Sequence, residues 1–292
     1  MQINNLAYIP SPPQGVWFIA GMPLIRAYGI CIVLGIAVAL WLSTRRYVAR
    51  GGKTDTINNV AIVVIISGII GARLYHVATD HEKYFCTTCN PTDAFKITNG
   101  GLSIIGAAMA AMFCAWIYLR RKNISYGLLA DSIAPTILIA QGIGRFGNYF
   151  NQEIYGRPTT LPWGLEIFLR RDASGTVDMM YGHSTGQIMT IVHPTFLYES
   201  LWCFAAAAVL LWLDHRKRFA GGTLLALYVV VYSFGRFWIE LMRADEATHI
   251  LGLRVNTITS TATFIIGLVL FFVLNNKKYW RSLTRFFTRS KN

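Results

Sequence analysis

The sequence predicts an all-α integral membrane protein of about seven transmembrane helices, with a small irregular cap on its outer face. Its residues are 54% hydrophobic and only 14% charged, whereas soluble domains carry about 25% charged residues. Seven apolar stretches approach the roughly 20 residues that a helix needs to cross a bilayer. The third observation is that basic residues stand in short runs between these stretches, as in the cytoplasmic loops of membrane proteins.

The seven predicted spans follow one another through the whole chain. The fourth differs from the others because it is polar toward its outer end. The spans run approximately over Leu24–Leu42, Asn58–Val77, Leu102–Leu119, Leu128–Phe150, Thr195–Leu213, Gly222–Leu241 and Thr257–Leu274.

The charges predict the orientation, because loops rich in Lys and Arg remain cytoplasmic. Basic runs follow spans 1, 3, 5 and 7, so an odd number of spans leaves the amino terminus outside and the carboxyl terminus in the cytoplasm. The net charge of +13 therefore indicates membrane topology and not a nucleic-acid partner. The runs are Arg45, Arg46, Arg50 and Lys53; Arg120, Arg121 and Lys122; Arg216, Lys217 and Arg218; and Lys277, Lys278, Arg281, Arg285, Arg289 and Lys291. The other loops hold the acids Asp80, Glu82, Asp93, Asp172, Asp178, Asp245 and Glu246.

The segment between spans 4 and 5, residues 151–194, is too long for a simple turn and contains Gly, Pro, Thr and alternating polar residues. These features predict a small irregular or β-containing external cap. No internal repeat or low-complexity tract divides the chain, so residues 1–292 are expected to form one membrane domain. Cys86 and Cys89 have C-x-x-C spacing in a polar loop without a second pair for a zinc site. The sequence allows either a disulfide between Cys86 and Cys89 or two free thiols.

Four arginines lie inside or near the outer ends of predicted spans: Arg26, Arg73, Arg145 and Arg236. An arginine at the centre of a bilayer costs roughly 2.5–3.5 kcal/mol on insertion scales, which favours a binding role. The alternative is that each one pairs with a nearby acid or extends to the membrane surface. That alternative suits Arg26 best, because Arg26 is close to a span end.

Helical geometry arranges polar residues into one stripe on span 4 and another on span 6, at 100° per residue. Polar stripes avoid lipid, so the two are expected to face each other or a shared cavity. A cavity lined by arginines suits an anionic lipid headgroup, because the planar guanidinium offers paired donors to phosphate. The stripes are Gln141, Arg145, Asn148 and Gln152 on span 4, and Tyr232, Arg236, Glu240 and Arg243 on span 6.

The segment His193-Pro194-Thr195, followed by Tyr198 and Glu199, opens span 5. Glu199 is a second costly residue close to a membrane boundary. Two roles are compatible with the sequence. Glu199 could form a purely structural ion pair with an arginine, or it could orient an arginine that binds phosphate, and the two roles overlap.

The run from Gly144 to Arg157, GRFGNYFNQEIYGR, resembles the signature of the prolipoprotein diacylglyceryl transferase family, G-R-x-G-N-F-x-N-x-E-x-[WY]-G-R. Within this run only Tyr149 departs, from one aromatic residue to another. Other segments resemble family motifs in order and spacing over nearly the whole chain. They are Arg26-Ala27-Tyr28-Gly29, Gly71-Ala72-Arg73, Gly100-Gly101-Leu102-Ser103, His193-Pro194-Thr195 with Tyr198-Glu199, and Tyr232 with Arg236, Glu240 and Arg243.

The resemblance implies an enzyme of the bacterial cell membrane that moves the diacylglyceryl group of phosphatidylglycerol to the lipobox cysteine of a prolipoprotein signal peptide. A thioether forms and glycerol-1-phosphate leaves. The resemblance also implies that Arg145 and Arg236 hold the phosphate. Glu199 and Glu240 would orient arginines, and the other substrate-binding residues would be Tyr28, Arg73, Asn148, Asn151, Glu153, Gly156 and Arg243. The candidates for the proton acceptor are the departing phosphate, Tyr232 and His193, in that order, and no cofactor or metal is expected.

One departure from the family concerns the chemistry. Many members read S-F-H-G after the double glycine, and that histidine is a candidate general base in the family. This chain reads Ser103-Ile104-Ile105-Gly106, and Ile105 cannot transfer a proton. Either another group serves here, or that histidine is not essential to the reaction.

Two other classes fit the intramembrane charges when the resemblance is set aside. A transporter or channel for an anion or lipid would be favoured by an inverted repeat, and the sequence shows none. Another lipid-modifying transferase would commonly carry a clustered Asp or His-Asp motif, whereas the intramembrane acids here are isolated glutamates. The family resemblance favours diacylglyceryl transfer over both.

Overall fold

Long helices dominate the structure, a computed structural model that describes residues 8–19, 22–86, 90–96, 101, 103–217, 219, 221–244, 249–250 and 253–276. Within these residues the helices are α1 Ala27–Ala49, α2 Thr54–Thr79, α3 Ile104–Arg121, α4 Tyr126–Asn151, α5 Thr195–Lys217, α6 Thr223–Met242 and α7 Val255–Asn275. By length and composition, α1, α2 and α4 to α7 can each cross a membrane. The protein is therefore a multi-pass membrane protein.

Each predicted span corresponds to one of these helices, which confirms the all-α class. The first span was predicted to begin too early, since Leu24–Arg26 lies in a strand and α1 begins at Ala27. Arg26 pairs with Val16 across a hairpin, and the backbone N–H of Ala27 donates to the carbonyl of Gly15 at 2.9 Å. The apolar run continues through strand and helix alike, so hydropathy could not separate them.

Short strands flank the helices. The hairpin before α1 consists of β2 Val16–Ile19 and β3 Met22–Arg26, and a second one, β6 His249–Ile250 with β7 Leu253–Arg254, lies between α6 and α7. A separate sheet has the order β1-β4-β5, made by β1 Ile9–Pro10, β4 Leu165–Arg171 and β5 His183–Val192. Strands β4 and β5 lie within residues 151–194, where the sequence predicts β structure.

The chain forms two compact units, one of residues 1–42 and 130–292 and the other of residues 43–129. In the second unit, α2 and α3 approach closely at Gly71 and Gly106. A Cβ on Gly71 would lie 2.5 Å from the carbonyl oxygen of Gly106, and one on Gly106 would overlap the carbonyl oxygen of Gly71. Backbones this close require residues without side chains, as at other small-residue contacts between membrane helices.

Arg73 holds the polar segment that follows α2 in this second unit. Its guanidinium donates to three backbone carbonyls, those of Asp93 at 2.6 Å, Ala94 at 2.7 Å and Gly101 at 3.0 Å. In the same segment Cys86 is disulfide-bonded. Cys89, the other cysteine of the C-x-x-C spacing, lies outside the described residues.

In the first unit, a fully buried carboxylate of α4 caps the amino-terminal end of α6. Asp131 accepts hydrogen bonds from the backbone N–H groups of Gly222 at 2.9 Å, Leu224 at 2.8 Å and Leu225 at 3.2 Å. These N–H groups have no partner within a helix, and a negative charge there complements the helix dipole. The carboxylate therefore fixes where α6 begins relative to α4.

This cap also sets the level of two arginines. Arg145 follows Asp131 by 14 residues, and Arg236 follows Gly222 by the same 14 residues. At 1.5 Å per residue, each arginine lies about 21 Å along its helix from the cap. The two side chains are thus carried to the same level of the bundle.

Candidate active site

Glu199 of α5 joins the two polar stripes. Its Oε1 lies 2.7 Å from Nη2 of Arg145 on α4, and its Oε2 lies 3.1 Å from Nη1 of Arg236 on α6. The side chain of Glu199 is 4% exposed. One buried carboxylate therefore holds guanidiniums from two helices side by side, so both stripes contribute an arginine to one place.

Glu240 contacts three arginines at the carboxyl-terminal end of α6. Its Oε2 lies 3.1 Å from Arg236 Nη2 and 2.9 Å from Arg243 Nη1, and its Oε1 lies 2.9 Å from Arg254 Nε. The amide of Asn256 also donates to Oε1 at 3.2 Å. Sequence reasoning missed Arg254 and Asn256, although an arginine and an amide at the entrance of a predicted span were a usable signal.

A hydrogen-bonded group of three side chains continues the network at the end of α4. Asn148 accepts from Arg145 Nη1 at 3.3 Å and donates to Glu153 Oε1 at 2.8 Å. Asn151 donates to the same carboxylate oxygen at 3.2 Å. The structure thus brings three predicted residues together beside Arg145.

Gln152 and Arg170 attach β4 to the end of α4. Gln152 leaves the predicted stripe, because its backbone has φ +52° and its amide pairs with the backbone N–H and C=O of Phe168 at 2.6 and 3.2 Å. Arg170 is fully buried and donates to the carbonyls of Pro12 at 2.7 Å and Phe150 at 2.8 Å. Burial lowers the pKa of Arg170 to about 10. Both side chains therefore stabilise the turn that carries Asn151 and Glu153.

Close backbone approaches bring in two further predicted residues. Tyr28, on the first turn of α1, packs against Gly147 of α4, where any Cβ would overlap its ring. A Cβ on Gly156 would lie 2.6 Å from that of His193, and the backbone of Gly156 forms a β-bridge with Arg243. Both glycines are thus required by packing against a neighbouring residue.

The two side-chain candidates for the proton acceptor have different surroundings. Tyr232 on α6 lies beside the guanidinium of Arg145. Within the described part of the chain, the His193 side chain is hydrogen-bonded through Nδ1 to the hydroxyl of Tyr198 at 3.2 Å, and Trp163 donates to that hydroxyl at 2.8 Å. The structure therefore brings Tyr232 to the arginines and places His193 on a separate chain of hydrogen bonds.

Three other positions singled out in the sequence have surroundings of their own. Arg26 is in strand β3, and its guanidinium donates to the hydroxyl of Tyr181 at 3.0 Å. Arg73 belongs to the second compact unit, where it binds backbone carbonyls. Ile105 is in the same unit, on the first turn of α3, and is 54% exposed.

Comparison with known proteins decides the family. The family model for prolipoprotein diacylglyceryl transferase matches residues 15–273. The chain belongs to the prolipoprotein diacylglyceryl transferase family. It is 53% identical over 274 residues to the phosphatidylglycerol–prolipoprotein diacylglyceryl transferase of Corynebacterium glutamicum (strain R), which covers 94% of this chain and 86% of that protein. It is also similar to transferases from Nocardia farcinica, 54% identical over 93% of this chain and 55% of the relative, and from Streptomyces coelicolor, 46% identical over 94% and 76%.

Membership in this transferase family makes the protein an enzyme. It excludes the transporter or channel that the intramembrane charges alone would allow. The family signature from Gly144 to Arg157 covers the end of α4 and the turn after it, where Asn148, Asn151 and Glu153 are hydrogen-bonded together.

In this transferase the paired guanidiniums keep unused donors. A guanidinium carries five N–H groups. Among the described residues, Arg236 contacts Glu199 and Glu240, while Arg145 contacts Glu199, Asn148 and Tyr232. Their side chains are 22% exposed for Arg145 and 16% for Arg236. The remaining N–H groups can therefore bind a ligand without releasing the carboxylates.

Proposed function

We propose that this protein transfers the diacylglyceryl group of phosphatidylglycerol to the lipobox cysteine thiol of a prolipoprotein, forming a thioether and releasing glycerol-1-phosphate. Its relatives carry this donor and acceptor in their names. The observation that carries the proposal is the pair Arg145 and Arg236, which Glu199 holds side by side. Two guanidiniums with unused donors match the oxygens of a phosphodiester.

Arg145 and Arg236 hold the phosphate of the donor lipid. Glu199 and Glu240 keep both guanidiniums in place before substrate arrives. Donors that are already oriented stabilise developing charge without a further cost of rearrangement. The remaining residues of the proposed substrate site are Tyr28, Asn148, Asn151 and Glu153 on the Arg145 side, with Gly156 and Arg243 beside them.

The reaction exchanges one bond at a single carbon. The cysteine S–H loses its proton, the sulfur bonds to the glyceryl carbon that carries the phosphate, and the bond from that carbon to the phosphate oxygen breaks. The bonding electrons leave on glycerol-1-phosphate. Nearby cations favour the thiolate over the thiol, whose ordinary pKa is about 8.5, and they also stabilise the charge that develops on the leaving oxygen.

The departing phosphate accepts the thiol proton in this proposal, because it gains negative charge as the carbon–oxygen bond breaks. Tyr232 is the next candidate, since it lies beside Arg145. His193 is the third, because the Tyr198 hydroxyl already occupies its Nδ1.

The proposed location is the bacterial cell membrane, with the amino terminus outside and the carboxyl terminus in the cytoplasm. The basic runs after spans 1, 3, 5 and 7 support this orientation. Residues 151–194 then form an external cap, and both polar stripes lie in the outer half of the membrane. The lipid donor and the prolipoprotein signal peptide reach the site from the bilayer.

Purified protein, phosphatidylglycerol and a lipobox peptide test the proposal directly. Mass spectrometry should show the peptide gaining one diacylglyceryl group, and glycerol-1-phosphate should appear in equal amount. A peptide with Ser in place of the lipobox Cys is the matched control and should gain nothing. A folded protein that leaves the Cys peptide unchanged, or modifies both peptides alike, would contradict the proposal.

A further inference from the structure

A cavity of about 310 Å³, whose lining combines apolar surface with several polar side chains, lies between α6 and α7 next to Arg236. Its volume is at the lower end of the roughly 300–1,000 Å³ of small-molecule sites. The lining includes Arg236, Asn256, Tyr228, Ser233, Ser260 and Thr263. Polar side chains on helices that cross a membrane are costly and commonly mark a substrate path.

Several polar atoms of this cavity have unused hydrogen-bonding capacity. Within the described residues, the hydroxyl of Ser260 makes no hydrogen bond, although the residue is only 5% exposed. The Tyr228 hydroxyl accepts from Gln141 Nε2 at 3.2 Å, which leaves its own proton free. Asn256 donates to Glu240 through Nδ2, which leaves its amide oxygen as an acceptor. Two free donors and one free acceptor therefore line one cavity.

We infer that this cavity binds the glycerol end of the phosphatidylglycerol headgroup, the diol beyond the phosphate. The inference rests on the proposed function and assigns a place to one end of its donor. A diol has two hydroxyl groups, each of which both donates and accepts, and this matches the free atoms of Ser260, Tyr228 and Asn256. Arg236 borders the cavity and also contacts Glu199. A phosphate held there has its glycerol between α6 and α7 and its reacting carbon on the side of Arg145.

The same lining disfavours a headgroup that ends in a primary ammonium. An ammonium offers three donors and no acceptor, so the protons of Ser260 and Tyr228 remain unpaired beside it. Arg236 carries the same sign of charge and repels it. A site built to bind a hydroxyl rejects an analogue that lacks one, because the buried polar groups lose their partners. The cavity therefore selects a neutral polyol headgroup.

Two donor lipids of equal charge test the inference. Phosphatidylethanol carries the same phosphodiester as phosphatidylglycerol but no diol. Wild-type protein should have the higher kcat/KM with phosphatidylglycerol. Ser260→Ala and Tyr228→Phe should each lower kcat/KM for phosphatidylglycerol about three- to tenfold, the range for one neutral hydrogen bond, and should lower it less for phosphatidylethanol.

Thr261→Ala is the matched control. Thr261 lies on the same helix, does not line the cavity, and donates to the carbonyl of Thr257 at 2.9 Å. Loss of the Thr261 hydroxyl should leave the ratio of kcat/KM for phosphatidylglycerol to kcat/KM for phosphatidylethanol at the wild-type value.

Equal use of the two lipids by wild-type protein would overturn the inference. So would an unchanged ratio in both Ser260→Ala and Tyr228→Phe, or an equal fall with both donors. Each of these outcomes leaves diacylglyceryl transfer from phosphatidylglycerol intact. Failure of the proposed function is distinguishable, because wild-type protein would then transfer nothing from phosphatidylglycerol.

Discussion

Single carboxylates determine where the arginines of this site point. Glu199 contacts Arg145 and Arg236 at once, and Glu240 contacts Arg236 from the other side. A buried charge without a partner destabilises a protein by several kcal/mol, so each charge keeps its neighbours in place. Glu199 thereby orients the groups that we propose to bind phosphate, and it need not touch the substrate.

Glu199→Gln should lower the transfer rate about 10- to 100-fold. The amide has no charge, and its nitrogen places a donor against a guanidinium that is itself a donor. A hydrogen bond to a charged group contributes roughly 1.5–3 kcal/mol. Peptide modification rates measure the effect, and Glu166→Gln on β4 is the control. A folded Glu199→Gln protein with the wild-type rate would show that the arginines are held without this carboxylate.

Ile105→His should change the rate only modestly, and the wild-type protein should be active without a histidine there. Ile105 is exposed on the first turn of α3, and the proposed proton acceptor is the departing phosphate. A general base typically contributes 10²–10⁴-fold. Initial rates for both proteins decide the question, and a rise of about a hundredfold in the variant would assign proton transfer to this position.

Much of the site could be predicted from helical spacing. Arg145 and Asn148 recur three residues apart on one helix, and Arg236 and Glu240 four residues apart on another, so each pair shares a face. Arg254 lies outside α6, so the spacing along α6 did not include it, and only its place at the entrance of a predicted span could have indicated it. Gln152 has the right spacing for the stripe, but its positive φ turns it toward β4.

At the scale of elements, the register between α4 and α6 places the two polar stripes at the same height along the helix axes. Asp131 binds three backbone N–H groups at the start of α6. The equal distance from this cap to Arg145 and to Arg236 then places both guanidiniums within reach of Glu199. The sequence did not predict this contact of Asp131, because its partners are backbone N–H groups of another helix.

Asp131→Ala should lower the apparent Tm in detergent, and Asp131→Asn should lower it less because one oxygen remains. Each buried donor left without a partner costs about 1–3 kcal/mol. Asp55→Ala removes an exposed carboxylate from the first turn of α2 and serves as the control. Equal Tm values for Asp131→Ala and this control would mean that packing alone sets the start of α6.

Hydropathy predicted all the helices but could not predict the strands. A stretch of about 20 apolar residues has few alternatives to a membrane helix. The β2–β3 hairpin is apolar as well, so its second strand was assigned to the first span. The order β1-β4-β5 joins strands more than 150 residues apart in sequence, Ile9 with Leu165, and no local pattern predicts such a pairing.

At the scale of the whole molecule, the distribution of charge predicts orientation. Basic runs stand at the carboxyl ends of α1, α3 and α5, including Arg46, Arg121 and Lys217. Alternate helix ends carry acids instead, such as Asp80 after α2. One side of the membrane therefore receives most of the positive charge, which the positive-inside rule assigns to the cytoplasm.

A cysteine introduced at Asp172 should react with a membrane-impermeant thiol reagent in intact cells, and one introduced at Lys217 should not. Asp172 lies at the turn between β4 and β5 of the proposed external cap, and Lys217 ends α5. Permeabilised cells provide the control in which both positions react. The reverse labelling pattern in intact cells would reverse the proposed orientation and place the site in the inner half of the membrane.

The most direct test of the arginine pair is the transfer rate of Arg145 and Arg236 variants that insert and fold. Removing a charged donor aimed at developing charge costs about 2.7–4 kcal/mol, or roughly 100- to 1,000-fold in rate. The transfer rates of Arg145→Ala and Arg236→Ala should each be lower than the wild-type rate by this amount. The Lys variants should recover only part of the rate, because an ammonium lacks the paired donors. Arg120→Ala, at the end of α3, should keep the wild-type rate. Near-normal turnover by folded Arg145→Ala and Arg236→Ala proteins would contradict the proposed phosphate site.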